Sequence, residues 1–291
     1  MVNTITDTPP VVAPPPVPAT RTRRPRRRRL VRYLLRFVAV GYVAALVAMP
    51  VVVVTWRVID QGWSVFWEAI TAPEAIHAYK VTAQVAGCAV LINAVFGVGM
   101  AILLARYRFP GRTLLNVLID VPISVSPIIV GLALVLAFGW TTGWFGSELQ
   151  SAGIQVIFSM PGMVLATAFV SLPLVLREVL PVLEEEGIEQ EQAARSLGAN
   201  APQRLWRITL PTIRWALAYG VVLTLARSVG EFGAVRVVSG DVTGQTQTLT
   251  LVVDQRAEQF EPGAYQLSVL LIAMSAICIV AISLIRPRGE R

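Results

Sequence analysis

The hydrophobic positions of this chain form six long blocks, separated by shorter polar segments. Several blocks exceed the roughly 18 apolar residues that a helix needs to cross a bilayer. The blocks lie near Leu34–Trp56, Val81–Ala105, Leu114–Phe138, Pro161–Leu176, Ile213–Val238 and Ala264–Ile285. We therefore predict an all-α integral membrane protein with six transmembrane helices.

The composition agrees with a bilayer environment. Hydrophobic residues make up 55% of the chain and charged residues only 15%, whereas soluble domains carry about 25% charged residues. Both cysteines, Cys88 and Cys278, fall inside apolar blocks. We expect inert thiols in the core rather than a disulfide framework.

Positive charge is concentrated beside alternate ends of the blocks. Lysine and arginine near span ends number nine at the N-terminus, three in the second connection, five in the fourth and three at the C-terminus. The other three connections hold two, none and two. The positive-inside rule therefore predicts that both termini and the fourth connection face the cytoplasm of a cell membrane.

The first 30 residues differ from the rest of the chain. Residues 1–20 hold six prolines and little that can pack, and nine arginines lie within residues 21–36. We predict a disordered, Pro/Arg-rich cytoplasmic tail over residues 1–30 and a transmembrane domain over residues 31–291. Arginines directly before a span suit anionic lipid headgroups, so we expect a membrane lipid partner and no nucleic acid.

The polar segment Glu184–Pro211, within the fourth connection, is the longest charge-dense stretch in the middle of the chain. Pro181 suits the first turn of a helix, and the glutamates at 184–186 suit the positive end of a helix dipole. Gly198 fits a turn with positive φ after that helix. The pattern predicts a cytoplasmic helix that ends at this glycine.

A second, short helix is expected after Gly198. Asn200 and Pro202 are typical of a helix start. Leu210 and Pro211 are expected to end it. The polar segment is therefore predicted to be a helix, a glycine turn and a short helix.

The polar segment also resembles the EAA loop of the permeases of binding-protein-dependent (type I) ABC importers. Gln192-Ala193-Ala194 is followed by three residues, Gly198, nine residues and Ile208-Thr209-Leu210-Pro211. The family pattern is E-A-A, three residues, G, nine residues, I-x-L-P, and the chain departs at Gln192, which directly follows Glu191. In that family the loop forms a coupling helix in a cleft of the ATP-binding subunit. The resemblance implies ATPase coupling, with Trp206 as the anchor, by Gln192, Ala193, Ala194, Gly198, Asn200, Arg204, Trp206, Ile208 and Pro211.

Residue types that serve in catalysis are scarce. Lys80 and His77 are the only lysine and histidine, and no G-x-x-x-x-G-K-[ST] sequence occurs. We therefore expect no catalytic residue, no metal ligand and no cofactor site in this chain. If transport uses ATP, a partner ATPase binds the ATP and Mg.

Charged residues recur inside the fifth apolar block, where Arg227 and Glu231 are four residues apart. This spacing predicts that they share a helix face. One interpretation is a mutual ion pair that holds the helix in place. In the other, Arg227 and nearby hydroxyls such as Ser228 line a route for an oxyanion such as sulfate. Oxyanion chemistry alone does not separate sulfate from molybdate or phosphate.

Three segments extend the resemblance. Arg227–Ala234 resembles the R-x-x-G-E-[FY]-G-[AS] segment of sulfate and molybdate permeases, while Asp120–Gly131 and Gln247–Leu251 resemble W-type permease subunits of sulfate/thiosulfate importers. The Ser126-Pro127 pair favours the W type over the T type. The likeness spans roughly residues 32–285.

This resemblance implies that the chain forms half of a translocation pore. The rest of the importer is then a second, T-type permease chain, a dimer of ABC ATP-binding subunits and an extracytoplasmic sulfate-binding protein. Two alternatives stay open: the same architecture for molybdate or tungstate, and an autonomous ion-coupled anion transporter. The latter requires a membrane-embedded acid, for which Glu231 is the candidate.

Overall fold

The computed structural model describes residues 26–141 and 143–285, and its regular elements are all helical within these ranges. In chain order the helices are α1 (Arg26–Gln61), α2 (Trp63–Thr71), α3 (Pro73–Arg106), α4 (Arg112–Ser124), α5 (Pro127–Phe138), α6 (Gly146–Ser151), α7 (Met160–Glu186), α8 (Glu189–Ser196), α9 (Ala201–Arg204), a π-helical turn (Leu205–Thr209), α10 (Leu210–Val229), α11 (Gly233–Ser239), α12 (Leu249–Glu258) and α13 (Ala264–Ile285). Among the described residues, five helices are long and apolar enough to cross a membrane, and α4 with α5 makes a sixth span if the bent pair counts as one. The predicted all-α membrane protein is confirmed.

The chain divides into two compact units, Met1–Pro50 and Val51–Arg291. Of the predicted tail, residues 1–25 lie outside the described residues, and residues 26–30 form the first turns of α1. All packing discussed below lies within the second unit.

Helix α7 forms the centre of the second unit. The buried share of its most apolar stretch is 61%, against 33% for α3, and it packs against α3, α4, α10 and α11. Its contacts form two apolar clusters, one around Met163 and Val235 and one around Leu176, Leu183 and Ile213. Because lipid is as apolar as these side chains, the clusters stabilise the bundle through close packing rather than exclusion of water.

The third span is not the single helix predicted over Leu114–Phe138. Helices α4 and α5 meet at a bend of 111°. Val125 has an extended backbone conformation, and Pro127 is at the first position of α5. Since proline lacks an N–H and disfavours a helical residue before it, the Ser126-Pro127 pair breaks the span.

The fourth span continues beyond its predicted end at Leu176. Helix α7 runs to Glu186, so Pro181 lies inside it and does not start a new helix. The three glutamates at 184–186 are therefore at the negative end of the α7 dipole, the reverse of the prediction. Arginines offset this charge: Arg106 donates to the Leu183 carbonyl at 2.8 Å, and Arg112 pairs with Glu184 at 3.1 Å.

The short helix predicted after Gly198 does not end at Leu210 and Pro211. The chain is helical without a break from Ala201 to Val229, because the π-helical turn joins α9 to α10. In that turn the Leu210 N–H bonds to the Leu205 carbonyl, five residues back. The wider turn accommodates Pro211, which has no N–H and whose ring crowds the carbonyl four residues earlier.

The fifth span ends earlier than predicted. Helix α10 ends at Val229, three non-helical residues follow, and α11 covers Gly233–Ser239. The predicted helix to Val238 is therefore wrong. By contrast, α13 has the bounds predicted for the sixth span, Ala264–Ile285.

Candidate functional site

The turn between the two arms of the polar segment is built around Gly198. Its φ of +86° lies in the left-handed region, as predicted, and an added Cβ would have no atom within 4 Å. The Gly198 N–H donates to the Arg195 carbonyl and the Ala199 N–H to the Ala194 carbonyl, both at 3.0 Å. These are the two bonds of a Schellman motif, which satisfies the last carbonyls of α8.

The second arm begins with a capping box. The Asn200 side chain accepts from the Gln203 N–H at 2.9 Å, and the Gln203 side chain accepts from the Asn200 N–H at 2.9 Å. These two bonds satisfy backbone donors that the start of a helix leaves free. Asn200 therefore fixes the start of α9, as its residue type predicts.

Most residues predicted to contact an ATPase are accessible. Trp206 is 70% exposed, and Leu197, which directly precedes Gly198, is 89% exposed. The predicted coupling residues classed as exposed are Gln192, Ala193, Gly198, Asn200, Trp206 and Pro211, and those half-buried are Ala194, Arg204 and Ile208. The prediction that this surface couples to an ATPase stays a prediction.

Glu191, which the sequence marked only as the neighbour of Gln192, anchors α8 to the spans. Its Oε1 atom accepts from Arg106 Nε at 3.2 Å and Nη2 at 3.1 Å, and from Thr209 Oγ1 at 3.2 Å. Gln192 is exposed. Nothing in the linear spacing signalled this contact, since Arg106 lies 85 residues earlier.

Arg227 and Glu231 form the second candidate site. Arg227 Nη1 lies 2.6 Å from Glu231 Oε2, although Glu231 lies beyond the end of α10. The other oxygen, Oε1, accepts from the Ala234 N–H at 2.9 Å. The Glu231 side chain is 2% exposed and that of Arg227 38%. The acid therefore holds Arg227 and the first turn of α11 at once.

The segment around Thr250 supports this site from a third element. The Thr250 hydroxyl donates to the Glu231 carbonyl at 2.9 Å, and the Leu249 N–H donates to Thr82 Oγ1 at 2.9 Å. These bonds tie the start of α12 to the break after α10 and to α3. They give a structural reason for Thr250 within Gln247–Leu251.

Two buried hydroxyls lie on α10 beside Arg227 in the sequence, one at Thr224 before it and one at Ser228 directly after it. Thr224 and Ser228 are one turn apart and 0% and 5% exposed. Neither oxygen has a hydrogen-bond partner within the described residues. Buried hydroxyls are normally satisfied, so both are candidates to bond to something that this chain does not itself supply.

Helices α5 and α11, which follow the two breaks, pack closely against each other. A Cβ on Gly233 would lie 3.1 Å from Pro127 Cβ, and one on Gly131 would lie 2.8 Å from the Ala234 carbonyl oxygen. The beginnings of the two helices are therefore adjacent. Gly131 permits this approach, which a side chain would prevent.

A second charged pair joins the broken third span to α7. Arg177 Nε donates to Asp120 Oδ1 at 2.8 Å, its Nη2 contacts Asp120 Oδ2, and Nη2 also donates to the Asn116 carbonyl at 3.2 Å. A fork of this kind is the strong geometry of an arginine–carboxylate pair. It explains how Asp120 is tolerated inside an apolar block, and sequence reasoning missed its partner.

Comparison with known proteins places these features in a family. A family model described as "Binding-protein-dependent transport system inner membrane component" matches residues 95–288. The chain is 44% identical over 259 residues to the sulfate transport system permease protein CysW of Synechocystis sp., covering 89% of this chain and 94% of the relative. It is 40% identical over 248 residues to CysW of Escherichia coli (strain K12), covering 85% of each.

The chain is also similar to a second kind of sulfate permease and to a transporter of known structure. The sulfate transport system permease protein CysT of Escherichia coli (strain K12) is 38% identical over 251 residues, covering 86% of this chain and 90% of that protein. A chain from a bacterial alginate ABC transporter, crystallised with an alginate pentasaccharide-bound periplasmic protein, aligns with a TM-score of 0.73 at 16% identity. The alignment covers 89% of this chain and 93% of that chain, and it establishes the fold alone.

Proposed function

The chain belongs to the binding-protein-dependent transport system inner membrane component family, and we propose that it is a permease subunit of an ATP-driven importer for sulfate or thiosulfate. The assignment of sulfate as the substrate rests on the similarity of this chain, over most of both chains, to proteins named as sulfate permeases. It favours sulfate over molybdate or tungstate, which oxyanion chemistry left open. As a permease subunit the chain is not itself an enzyme.

The polar segment is the surface through which an ATPase would drive this chain. Trp206 and Leu197 are exposed, and Arg204 and Arg207 lie on either side of Trp206 along the chain. Tryptophan and arginine are both enriched in protein-binding hot spots. A dimer of ABC ATP-binding subunits is the proposed partner, with one cleft receiving each permease. ATP and Mg would be bound there, and the permease would receive motion only.

A second permease chain completes the pore in this proposal. Relatives named CysW and CysT support a pair of different permeases. Arg227 is partly exposed, and the Ser228 hydroxyl lacks a partner among the described residues. A T-type chain facing these groups would enclose a path between the two subunits.

Arg227 and Ser228 are the proposed anion contacts in that path. A guanidinium has five N–H donors, and a single carboxylate does not use all of them. Pairing with Glu231 therefore leaves Arg227 with donors for an oxyanion. Glu231 is engaged by both Arg227 and the Ala234 N–H. These two contacts favour a structural role for Glu231 over the unpaired membrane-embedded acid that an autonomous transporter would require.

The proposed setting is a cell membrane crossed several times, with both termini and the polar segment in the cytoplasm. The bias of arginine toward the same side as the polar segment supports this orientation. An extracytoplasmic sulfate-binding protein would then deliver substrate to the opposite side.

The test is reconstitution of this chain with its candidate T-type permease, ATPase and binding protein in vesicles. We expect uptake of labelled sulfate that requires ATP and all four components, and that excess molybdate inhibits weakly. Accumulation of an anion by vesicles that hold this chain without an ATPase would overturn the proposal. Uptake of molybdate but not of sulfate would overturn the substrate assignment.

A further inference from the structure

Helix α8 is held to the spans by polar contacts rather than by apolar packing. None of its eight residues is fully buried. Glu191 Oε1 instead receives three donors at 3.1–3.2 Å, two from Arg106 and one from Thr209. Because an isolated eight-residue helix is only marginally stable, the position of α8 depends on such contacts.

Arg106 and Glu191 together join four elements at this point. Arg106 ends α3, and its Nη1 atom donates to the Leu183 carbonyl near the end of α7 at 2.8 Å. Its Nε and Nη2 atoms hold Glu191 on α8, and Glu191 in turn accepts from Thr209 in the π-helical turn before α10. A displacement of α8 therefore acts directly on the ends of α3, α7 and α10.

The environment distinguishes this link from an ordinary surface ion pair. The side chains of Arg106 and Glu191 are 11% and 21% exposed, whereas those of Arg112 and Glu184, paired at the same 3.1 Å, are 41% and 51% exposed. Exposed pairs are screened by water and contribute little. Partly buried, charge-assisted bonds are stronger and have a defined geometry.

We propose that Arg106 and Glu191 are positioning residues that transmit movement of α8 into the membrane spans. This inference rests on the proposed function, because it assumes that an ATPase moves the polar segment. It assigns to Glu191 an internal role, distinct from the exposed residues Gln192, Ala193 and Trp206 that would meet the partner. The link also accounts for how α8 is held without a buried residue: two bonds from Arg106 and one from Thr209 converge on a single oxygen of Glu191.

The test compares Arg106→Gln and Glu191→Gln with the matched control Arg112→Gln, in the complete reconstituted importer. Each variant removes one charge at the same end of the bundle, but only the first two remove the buried link. We expect sulfate transported per ATP hydrolysed to fall about tenfold in Arg106→Gln and Glu191→Gln, a scale set by one charge-assisted hydrogen bond. Hydrolysis itself is expected to persist, and Arg112→Gln to keep the wild-type ratio.

Three outcomes count against the inference. Unchanged transport per ATP in both variants would show that the link transmits nothing. A parallel loss of uptake, hydrolysis and thermal midpoint would show a role in folding only. An equal loss in Arg112→Gln would show that any charge at this end has the same effect.

Thr209→Val is the milder probe if the charged variants fail to assemble. It removes one of the three donors to Glu191 while it keeps the side-chain volume, and Thr209 is 6% exposed. We expect a smaller fall in the same ratio, and no fall would overturn the inference. Failure of the proposed function is distinguishable, since wild-type vesicles would then show no ATP-dependent sulfate uptake at all.

Discussion

Substitution of Gly198 tests whether the angle between the arms of the polar segment matters for coupling. A substitution at Gly198 changes the backbone strain without creating a steric clash, because φ is +86° and an added Cβ would meet no atom within 4 Å. Gly198→Ala therefore introduces only the strain of a left-handed residue, about 1–2 kcal/mol. That strain lowers the population of the native turn roughly 5- to 30-fold relative to its alternatives.

Two further substitutions at Gly198 are expected to disturb the turn less and more strongly than alanine. Gly198→Asn is expected to be mild, since asparagine visits the left-handed region more readily. Gly198→Pro fixes φ near −65° and removes the N–H that donates to the Arg195 carbonyl at 3.0 Å. The lost hydrogen bond adds about 0.5–1.5 kcal/mol to the conformational strain. The expected order of defect is Asn, then Ala, then Pro.

The assay is sulfate uptake per ATP hydrolysed in reconstituted vesicles, with membrane insertion checked by expression and thermal midpoint. Gly153→Ala is the matched control, because Gly153 also has a positive φ, +68°, with open space around its Cβ, but lies after α6 outside the polar segment. We expect the control to cost similar local strain and to leave the ratio unchanged. Wild-type uptake in Gly198→Pro, or an equal defect in the control, would refute the reasoning.

Three other predictions address the remaining contacts. Arg227→Ala is expected to lower sulfate uptake about tenfold or more, the scale of a charge-assisted bond; full uptake with a lowered thermal midpoint would assign the pair with Glu231 to structure alone. Trp206→Ala is expected to weaken ATPase binding in detergent about 30-fold, as truncation of a hot-spot residue does. Trp215 lies on α10 and is 51% exposed, and the control Trp215→Ala is expected to leave binding unchanged. Gly131→Ala is expected to lower the thermal midpoint by several degrees because its Cβ would lie 2.8 Å from two atoms of α11, whereas Gly99→Ala, with open space, does not.

Hydropathy predicted six spans, of which five are span-length helices among the described residues and the sixth is the bent pair α4 and α5, but it did not predict the interruptions. The bend at Ser126-Pro127 and the break around Glu231 both lie inside apolar blocks, where average hydrophobicity is insensitive to backbone conformation. In lipid a broken helix must have its freed backbone groups satisfied by neighbouring elements. Those neighbours include Thr250, which donates to the Glu231 carbonyl from 19 residues away. The residues next to Glu231 in the sequence were therefore not enough to predict the break.

Local signals in the polar segment were partly reliable. Gly198 and Asn200 specified their turn and cap through their own backbone and side-chain chemistry, and both appear as predicted. Pro181 and Pro211 misled, because proline is compatible with a helix interior where packing or a π-helical turn accommodates it. The glutamates at 184–186 were misassigned for a related reason: distant arginines offset an unfavourable helix end.

Helix α10 connects the two candidate sites, because it runs from the polar segment to the ion pair of Arg227 and Glu231. It follows Thr209, which bonds to Glu191, and ends beside Arg227, which pairs with Glu231. Its 20 residues span about 30 Å, close to the thickness of the hydrocarbon core. In the coupling proposed above, α10 would carry an axial displacement as one body, and the break after Val229 would absorb it. Movement of α8 would therefore change the surroundings of Arg227 without any rearrangement within α10, which is what a permease that receives work at one face and opens at the other requires.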